Sequence, residues 1–296
     1  MAFAGYVGRF APSPTGPLHA GSLLSAAASY LQARQNGGLW YLRIEDIDPP
    51  REIPGAADDI LRTLERFGFA WDGPVRYQSQ HIELYRERLS LIADHCFRCS
   101  CSRREITRVA REMGITDGRY PGTCRGGSGA ANGALRIRFD RPQAFSDLIQ
   151  GEIPAGAGPD DFMLWRKDDL PAYQWAVTVD DVEQGITEVV RGCDLLHTTP
   201  RQIFLLQQLG APVPRFAHVP IVLNDAGHKL SKQTGAVGLA RGHEKAQLCA
   251  TFKALALPVE HAPIDDSLAG LWLWAIRQWQ PKRLKDKKTI PFVNPV

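Results

Sequence analysis

The sequence lacks long hydrophobic runs. None of its apolar stretches approaches the roughly 20 residues that a membrane-spanning helix needs. Its opening residues, MAFAGYVGRFAPSP, show no basic lead followed by an apolar stretch, so no secretory signal is read there and a cytoplasmic location is expected. Cysteine is scarce, six in 296 residues, which argues against a disulfide scaffold. No sign of charge dominates either. The 35 Lys and Arg against 32 Asp and Glu leave a net charge of +3, too mild to establish nucleic-acid binding or to exclude it. Internal repeats and long low-complexity segments are also missing.

What remains is an ordinary balance, 44% apolar and 23% charged residues, enough for a sizeable core. The length suits one large domain, with or without a smaller appendage. YVGRF (6–10) predicts a short strand stopped by Pro12 and Pro14, and residues 22–35 predict a helix with Leu23, Leu24, Ala27, Ala28 and Leu31 on one side. LWYLRIED (39–46) reads as a buried strand. GAADDILRTLERFGF (55–69) and His81 to about Asp94 read as helices. Further along, YQWAVTVDD (173–181) and ITEVVRG (186–192) predict strands. TPRQIFLLQQLG predicts a helix with Thr199 as N-cap and Pro200 at its first position. The alternation points to an α/β fold with a doubly wound parallel sheet.

Residues 96–160 break this pattern and read as an insertion dividing the core into 1–95 and 161–240. Residues 241–296 read as a short segment of two apolar-faced helices with a basic tail, QPKRLKDKK, taken as a solvated helix end. In the insertion, Cys96, Cys99 and Cys101 crowd together and Cys124 follows, four thiols that match the donor count of a tetrahedral zinc site. Cys193 and Cys249 stand alone.

Two stretches carry phosphate chemistry. In PTGPLHAGS (14–22, opening at Pro14) a turn with Gly16, His19 and Gly21 leads into a helix, where backbone N–H groups and the helix dipole favour an anion. In GHKLSKQTG, Lys229 and Lys232 flank Ser231 and can clamp a polyphosphate as point charges.

Together, RFAPSPTGPLHAGS and KLSK resemble the paired signatures of class I aminoacyl-tRNA synthetases. GRFAPSPTG, YLRIEDIDPPRE and VVRGCDLL are similar to the glutamyl branch, and the likeness covers roughly residues 6–240. Two departures narrow it. Ser22 stands where many class I enzymes carry a second histidine, and only about 60 residues follow KLSKQ where a full glutamyl enzyme has a large anticodon-binding region. That combination resembles a truncated paralogue that attaches glutamate to the modified base queuosine of tRNA(Asp).

The resemblance implies a class I Rossmann-like fold and tRNA-independent activation of L-glutamate by ATP with Mg²⁺; the lack of a long apolar run or stripe leads to the expectation of a monomer without membrane attachment. It implies glutamate contacts at Arg9, Phe10, Ala11, Pro12, Ser13, Glu45, Tyr173 and Arg191. It implies ATP contacts at His19, Gly21, Ser22, Lys229, Ser231 and Lys232, with His19 and Lys232 catalytic. Arg9, Glu45 and Arg191 end predicted strands, and ligands of parallel sheets bind beyond such carboxyl ends, while Tyr173 opens a predicted strand and can donate its hydroxyl. Either arginine can take the side-chain carboxylate. For the metal, the resemblance implies Cys99, Cys101, Tyr120 and Cys124 around one structural zinc, with Cys96 a rival to Tyr120. Two other readings compete: a shortened synthetase charging a tRNA 3′ end, and an inactive RNA-binding module. The intact set of motif residues argues against the second.

Overall fold

The computed structural model describes residues 5–127, 132–223, 227, 238–263 and 267–291. YVGRF forms β1 (Val7–Phe10), and its four residues are all buried. Pro12 and Pro14 then stop the ladder, because proline has no N–H to donate. The chain turns into α1 (Ala20–Gln35), which is buried on nearly every side from Leu23 to Ala33. It returns as β2 (Leu39–Ile44), parallel to β1 from Val7 opposite Leu39 to Phe10 opposite Leu42. After α2 (Ala56–Arg66), β3 (Arg76–Tyr77) adds to the free edge of β2. The predicted helix from His81 is α3 (Ile82–Arg88), tightening into 3₁₀ turns over Leu89–His95.

The insertion has its own small sheet. β4 (Cys96–Cys99) precedes α4 (Arg103–Glu112), which opens on a capping box between Ser102 and Glu105. β5 (Ala134–Ile137) pairs antiparallel with β4. A hairpin of β6 (Phe145–Asp147) and β7 (Gly151–Ile153) leaves this sheet, and β8 (Phe162–Trp165) rejoins it beside β5.

Residues 173–181 depart from the sequence reading. They form not a strand but the helix α5 (Tyr173–Glu183). Val177, Thr178 and Val179 have strand-like preferences, yet every side chain from Trp175 to Asp181 is buried, so no polar face reveals the helical period. β9 (Glu188–Gly192) follows as predicted, then α6 (Thr199–Gln208) and β10 (Arg215–Val219). The N-cap position of α6 is Thr198 rather than Thr199, whose hydroxyl is engaged elsewhere. β10 is parallel to β9 on one side and to β6 on the other, so the hairpin of the insertion extends the main sheet. β9 lies beside β1, where the Thr187 N–H donates to the Val7 carbonyl at 2.9 Å.

The segment after residue 240 is woven into the core. After β11 (Ile221–Leu223) come α7 (Glu244–Ala254) and α8 (Leu268–Gln278), whose Leu248, Phe252, Leu271 and Trp272 join one apolar cluster with α1, β2 and α2. Each such side chain contributes about 1.5–3 kcal/mol on burial. Trp272 donates to the Phe67 carbonyl at 2.8 Å and Trp279 to Gln32 Oε1 at 2.6 Å, so neither ring leaves its N–H unpaired. The basic tail is not a solvated helix end. Its Leu284 is buried, and it leads into β12 (Thr289–Pro291), parallel to β11. No helix of the described residues is long and apolar enough to cross a membrane.

Candidate active site

A cavity of about 630 Å³ opens beyond the carboxyl ends of β1, β2 and β9. Such ends leave backbone groups and the last side chains unpaired by further strand, which is why parallel sheets bind ligands there. Arg9 and Phe10 reach the cavity from β1, Ala11, Pro12 and Ser13 from the turn that follows, and Glu45 from the residue after β2. Arg191 reaches it from β9 and Tyr173 from the first turn of α5. His19, Gly21 and Ser22 border it at the start of α1. The fold thus gathers these eleven residues, far apart in sequence, around one space.

Arg9 and Glu45 rest on a buried charge network. Arg9 Nε donates to Asp181 Oδ1 at 3.2 Å, and the fully buried Arg43 donates to the same oxygen at 2.8 Å. Asp180 accepts from Arg76 at 2.7 Å, Gln78 at 2.8 Å and Tyr85 at 2.9 Å. Burial would raise the Asp181 carboxyl, but Arg9 and Arg43 outweigh it and hold the group below its ordinary value. Glu45 differs. Its Oε1 is 3.7 Å from Arg43, an ion-pair distance without a hydrogen bond, and this oxygen has no hydrogen-bond donor among the described residues. Burial pushes this carboxyl up to about 7, against the pull of Arg43 and Arg9. A buried acceptor lacking a donor, on the wall of a cavity, is suited to a cationic ligand group. Tyr173 is pushed up to about 12 by burial and by the Glu45 charge, so it stays a phenol that can donate.

Arg191 is buried and held on three of its five N–H groups. It donates to His218 Nε2 at 3.0 Å, to Gln202 Oε1 at 2.8 Å and to Thr199 Oγ1 at 2.8 Å. The residual donors face the task of binding an anion in the cavity.

At the turn, His19 is the N-cap of α1. Its Nδ1 accepts from the N–H groups of Gly21 at 3.1 Å and Ser22 at 3.3 Å. The backbone donors that the sequence offers to an anion are therefore taken by the imidazole. A nitrogen that accepts carries no proton, so the ring proton sits on Nε2. Lys229, Ser231 and Lys232 lie outside the described residues. The flanks of their segment both meet the cavity region: Ile221 and Val222 line it, and Leu239 donates its N–H to the Leu18 carbonyl at 3.0 Å beside His19.

Away from the cavity, Cys99, Cys101 and Cys124 hold their sulfurs within 4.8 Å of one another, a cluster that can bind a metal ion. The Tyr120 hydroxyl is 3.3 Å from Cys99 Sγ and accepts from the Cys124 N–H at 2.8 Å. Cys96 does not join them. Side chains alternate along β4, so Cys96 and Cys99 emerge on opposite faces, and Cys96 Sγ instead meets the Ile92 carbonyl at 3.3 Å. Cys193 and Cys249 are half-buried and apart from the cluster.

Residues 6–252 match the family model described as tRNA synthetases class I (E and Q), catalytic domain. The chain belongs to this family. It is 50% identical over 282 residues to the glutamyl-Q tRNA(Asp) synthetase of Dechloromonas aromatica, covering 93% of this chain and 94% of that one. It is likewise 50% identical over 293 residues to the protein of that name from Chromobacterium violaceum, covering 96% and 97%. Among solved structures, a glutamate tRNA ligase from Elizabethkingia meningosepticum in complex with its amino acid superposes with a TM-score of 0.78. It is 26% identical, with 98% of this chain and 67% of that one covered. The mixed α/β architecture is the class I synthetase catalytic fold, and the chain is a ligase-type enzyme of glutamate transfer.

Several residues around this cavity carry no signal of that placement in the sequence. Asp181 and Arg43 sit behind Arg9, and His218, Thr199 and Gln202 behind Arg191. Thr15 and Arg51 also border the cavity. The latter stands in PPRE, the stretch that resembled the glutamyl branch, where a cavity position was not assigned.

Proposed function

We propose that this synthetase activates L-glutamate with ATP, without needing RNA, and transfers the glutamyl group to queuosine in the anticodon of tRNA(Asp). The observation that carries the reading is the meeting, in one cavity, of two arginines, a buried carboxylate with one oxygen lacking a hydrogen bond, and the His19 turn. The names of the half-identical relatives supply the acceptor.

Glutamate brings two carboxylates and an ammonium. Arg9 and Arg191 take the carboxylates, Glu45 accepts from the ammonium, and Tyr173 donates from the side. Phe10, Ala11, Pro12 and Ser13 shape the wall against the substrate. ATP lies along the turn, near Gly21 and Ser22, with the His19 Nε2–H donating to phosphate oxygens. Lys229, Ser231 and Lys232 bind the polyphosphate, the lysines neutralising its charge. Magnesium, bound with the ATP, would neutralise part of its charge.

In the first step a carboxylate oxygen of glutamate attacks the α-phosphorus. The bond from that phosphorus to the bridging oxygen breaks, and pyrophosphate leaves with the electron pair. In the second, a hydroxyl of the queuosine cyclopentene ring attacks the mixed-anhydride carbonyl, loses its proton and expels AMP. The protein's work is positioning and charge neutralisation rather than covalent catalysis. Zinc fits the three thiols and the nearby phenol. Held by Cys99, Cys101, Tyr120 and Cys124, it would cross-link β4 to the loop after α4 and fix the insertion structurally.

The test is transfer of labelled glutamate, with ATP, to tRNA(Asp) with and without queuosine, the product being mapped by nuclease digestion. Label on the anticodon fragment of the modified tRNA alone is expected. Label on the 3′-terminal adenosine of tRNA(Glu) would make the chain a shortened conventional synthetase. Pyrophosphate exchange monitors the first step separately, and Lys232→Ala is expected to slow it by about 100-fold.

A further inference from the structure

Arg191 does not hold its own place. Behind it stands His218 of β10, with no exposed surface, whose Nε2 is 3.0 Å from Arg191 Nε and 3.1 Å from Thr199 Oγ1. On its other side, His218 Nδ1 lies 2.6 Å from Asp147 Oδ2. Asp147 is anchored in turn. Its Oδ1 accepts the backbone N–H groups of Ile149 at 3.0 Å, Gln150 at 2.8 Å and His218 itself at 3.1 Å.

The protons in this chain are decided by chemistry. A guanidinium has donors only, so the nitrogen facing it must accept. His218 Nε2 therefore carries a lone pair. The ring proton is on Nδ1, directed at the Asp147 carboxylate, and the imidazole is neutral. Burial and the Arg191 charge both disfavour the imidazolium and lower the His218 value, in agreement with this tautomer. In neutral histidine free in water the proton prefers Nε2, so the arrangement is imposed by the site. With Gln202 and Thr199 on the remaining sides, the planar guanidinium is gripped on three N–H groups.

We propose that His218, oriented by Asp147, is a positioning residue that sets the plane of the Arg191 guanidinium for a substrate carboxylate. The proposal rests on the reading of Arg191 as a glutamate ligand. His218 touches no substrate itself and does not line the cavity. Its part is to spend the Nε donor of Arg191 inward, so that the N–H groups left over point where the carboxylate arrives. A histidine is suited to this because its ring passes an anchored carboxylate's orientation to an acceptor placed toward Arg191 Nε.

Pyrophosphate exchange measured over ranges of glutamate and of ATP tests the assignment. In His218→Ala, KM for glutamate is expected to rise 10- to 100-fold while KM for ATP changes less than about 3-fold. In His218→Gln, whose carbonyl can accept near the lost Nε2, most of the glutamate affinity should return. Equal rises for both substrates, or no rescue by glutamine, would reduce His218 to a core residue and overturn the proposal. Because the alanine variant can fail to fold, ¹⁵N NMR of the histidine-labelled wild-type protein gives a second arm. A His218 ring protonated on Nδ1 alone is expected, and an Nε2–H tautomer or an imidazolium at neutral pH would refute it. Arg191→Ala separates the two levels. If that change leaves KM for glutamate untouched, the reading of the site fails. If it raises KM and His218→Ala does not, only the present inference fails.

Discussion

Glu45 and Arg43 lie 3.7 Å apart, near enough to attract and too far to share a proton-donor bond. Arg43 spends its short contacts on Asp181 and Gln184, so it attracts Glu45 only through space. Its carboxyl stands at about 7 against an ordinary 4.5, because burial disfavours the charge. A folded-state value raised above the unfolded one stabilises the fold fully below about 4.5 and loses that contribution as pH rises through about 7. Glu45→Gln removes the dependence. The variant is expected to be about 1–3 kcal/mol more stable than wild type at pH 8 and no more stable at pH 4, while losing glutamate-dependent exchange. Urea denaturation at the two pH values measures it. A variant less stable at pH 8 would mean that the attraction of Arg43 and Arg9 outweighs burial.

His19 is expected to have two separable duties. As N-cap it satisfies two backbone donors, a role asparagine performs as well. As the carrier of Nε2–H it serves the nucleotide. His19→Asn should therefore keep the melting temperature near that of wild type yet slow pyrophosphate exchange at least 10-fold. His19→Ala should lose about 1 kcal/mol of stability in addition. Identical melting temperatures for the two variants would discount the cap.

The opposed faces of β4 make a prediction about metal content. Protein purified without added metal is expected to hold one zinc per chain. Cys96→Ser should keep it and Cys124→Ala should lose it, since only the second belongs to the three-thiol cluster. Metal analysis of the two variants decides this, and a loss of zinc in Cys96→Ser would restore the four-cysteine arrangement.

Trp279 tests whether the C-terminal segment is part of the core. Its ring is buried and its N–H is held by Gln32 of α1. Trp279→Ala should cost about 3–5 kcal/mol in global unfolding, the range for a large ring removed from a well-packed interior. A loss below 1 kcal/mol would show that α8 and the residues beyond it are an independent appendage.

The parts of the molecule that the sequence announces are those with edges. β1, β2 and β9 are short apolar runs closed by proline, acid or glycine, and Arg9, Glu45 and Arg191 stand out as charges at those closures. α5 is hidden because Asp180 and Asp181, which look like a solvated strand end, turn inward to arginines contributed by β1, β2 and β3. Cys96 misleads because its exclusion depends on strand parity, and the strand itself was not foreseen within the insertion. His218 is a single polar letter in an apolar stretch. Its meaning depends on Asp147 and Arg191, which no local pattern connects to it.

The parallel pairing of β11 with β12 has a consequence for how the enzyme matures. Ile221 stands opposite Thr289 and Val222 opposite Ile290, and both Ile221 and Val222 face the cavity. During synthesis, Arg9, Glu45, Tyr173 and Arg191 have all emerged from the ribosome long before Thr289. The wall formed by Ile221 and Val222 thus gains its neighbouring strand only after β12 has been made. Long-range parallel pairing of this kind is slow to form. The last wall of the cavity is therefore braced by a strand supplied from far along the chain, and it is complete only once β12 has paired with β11.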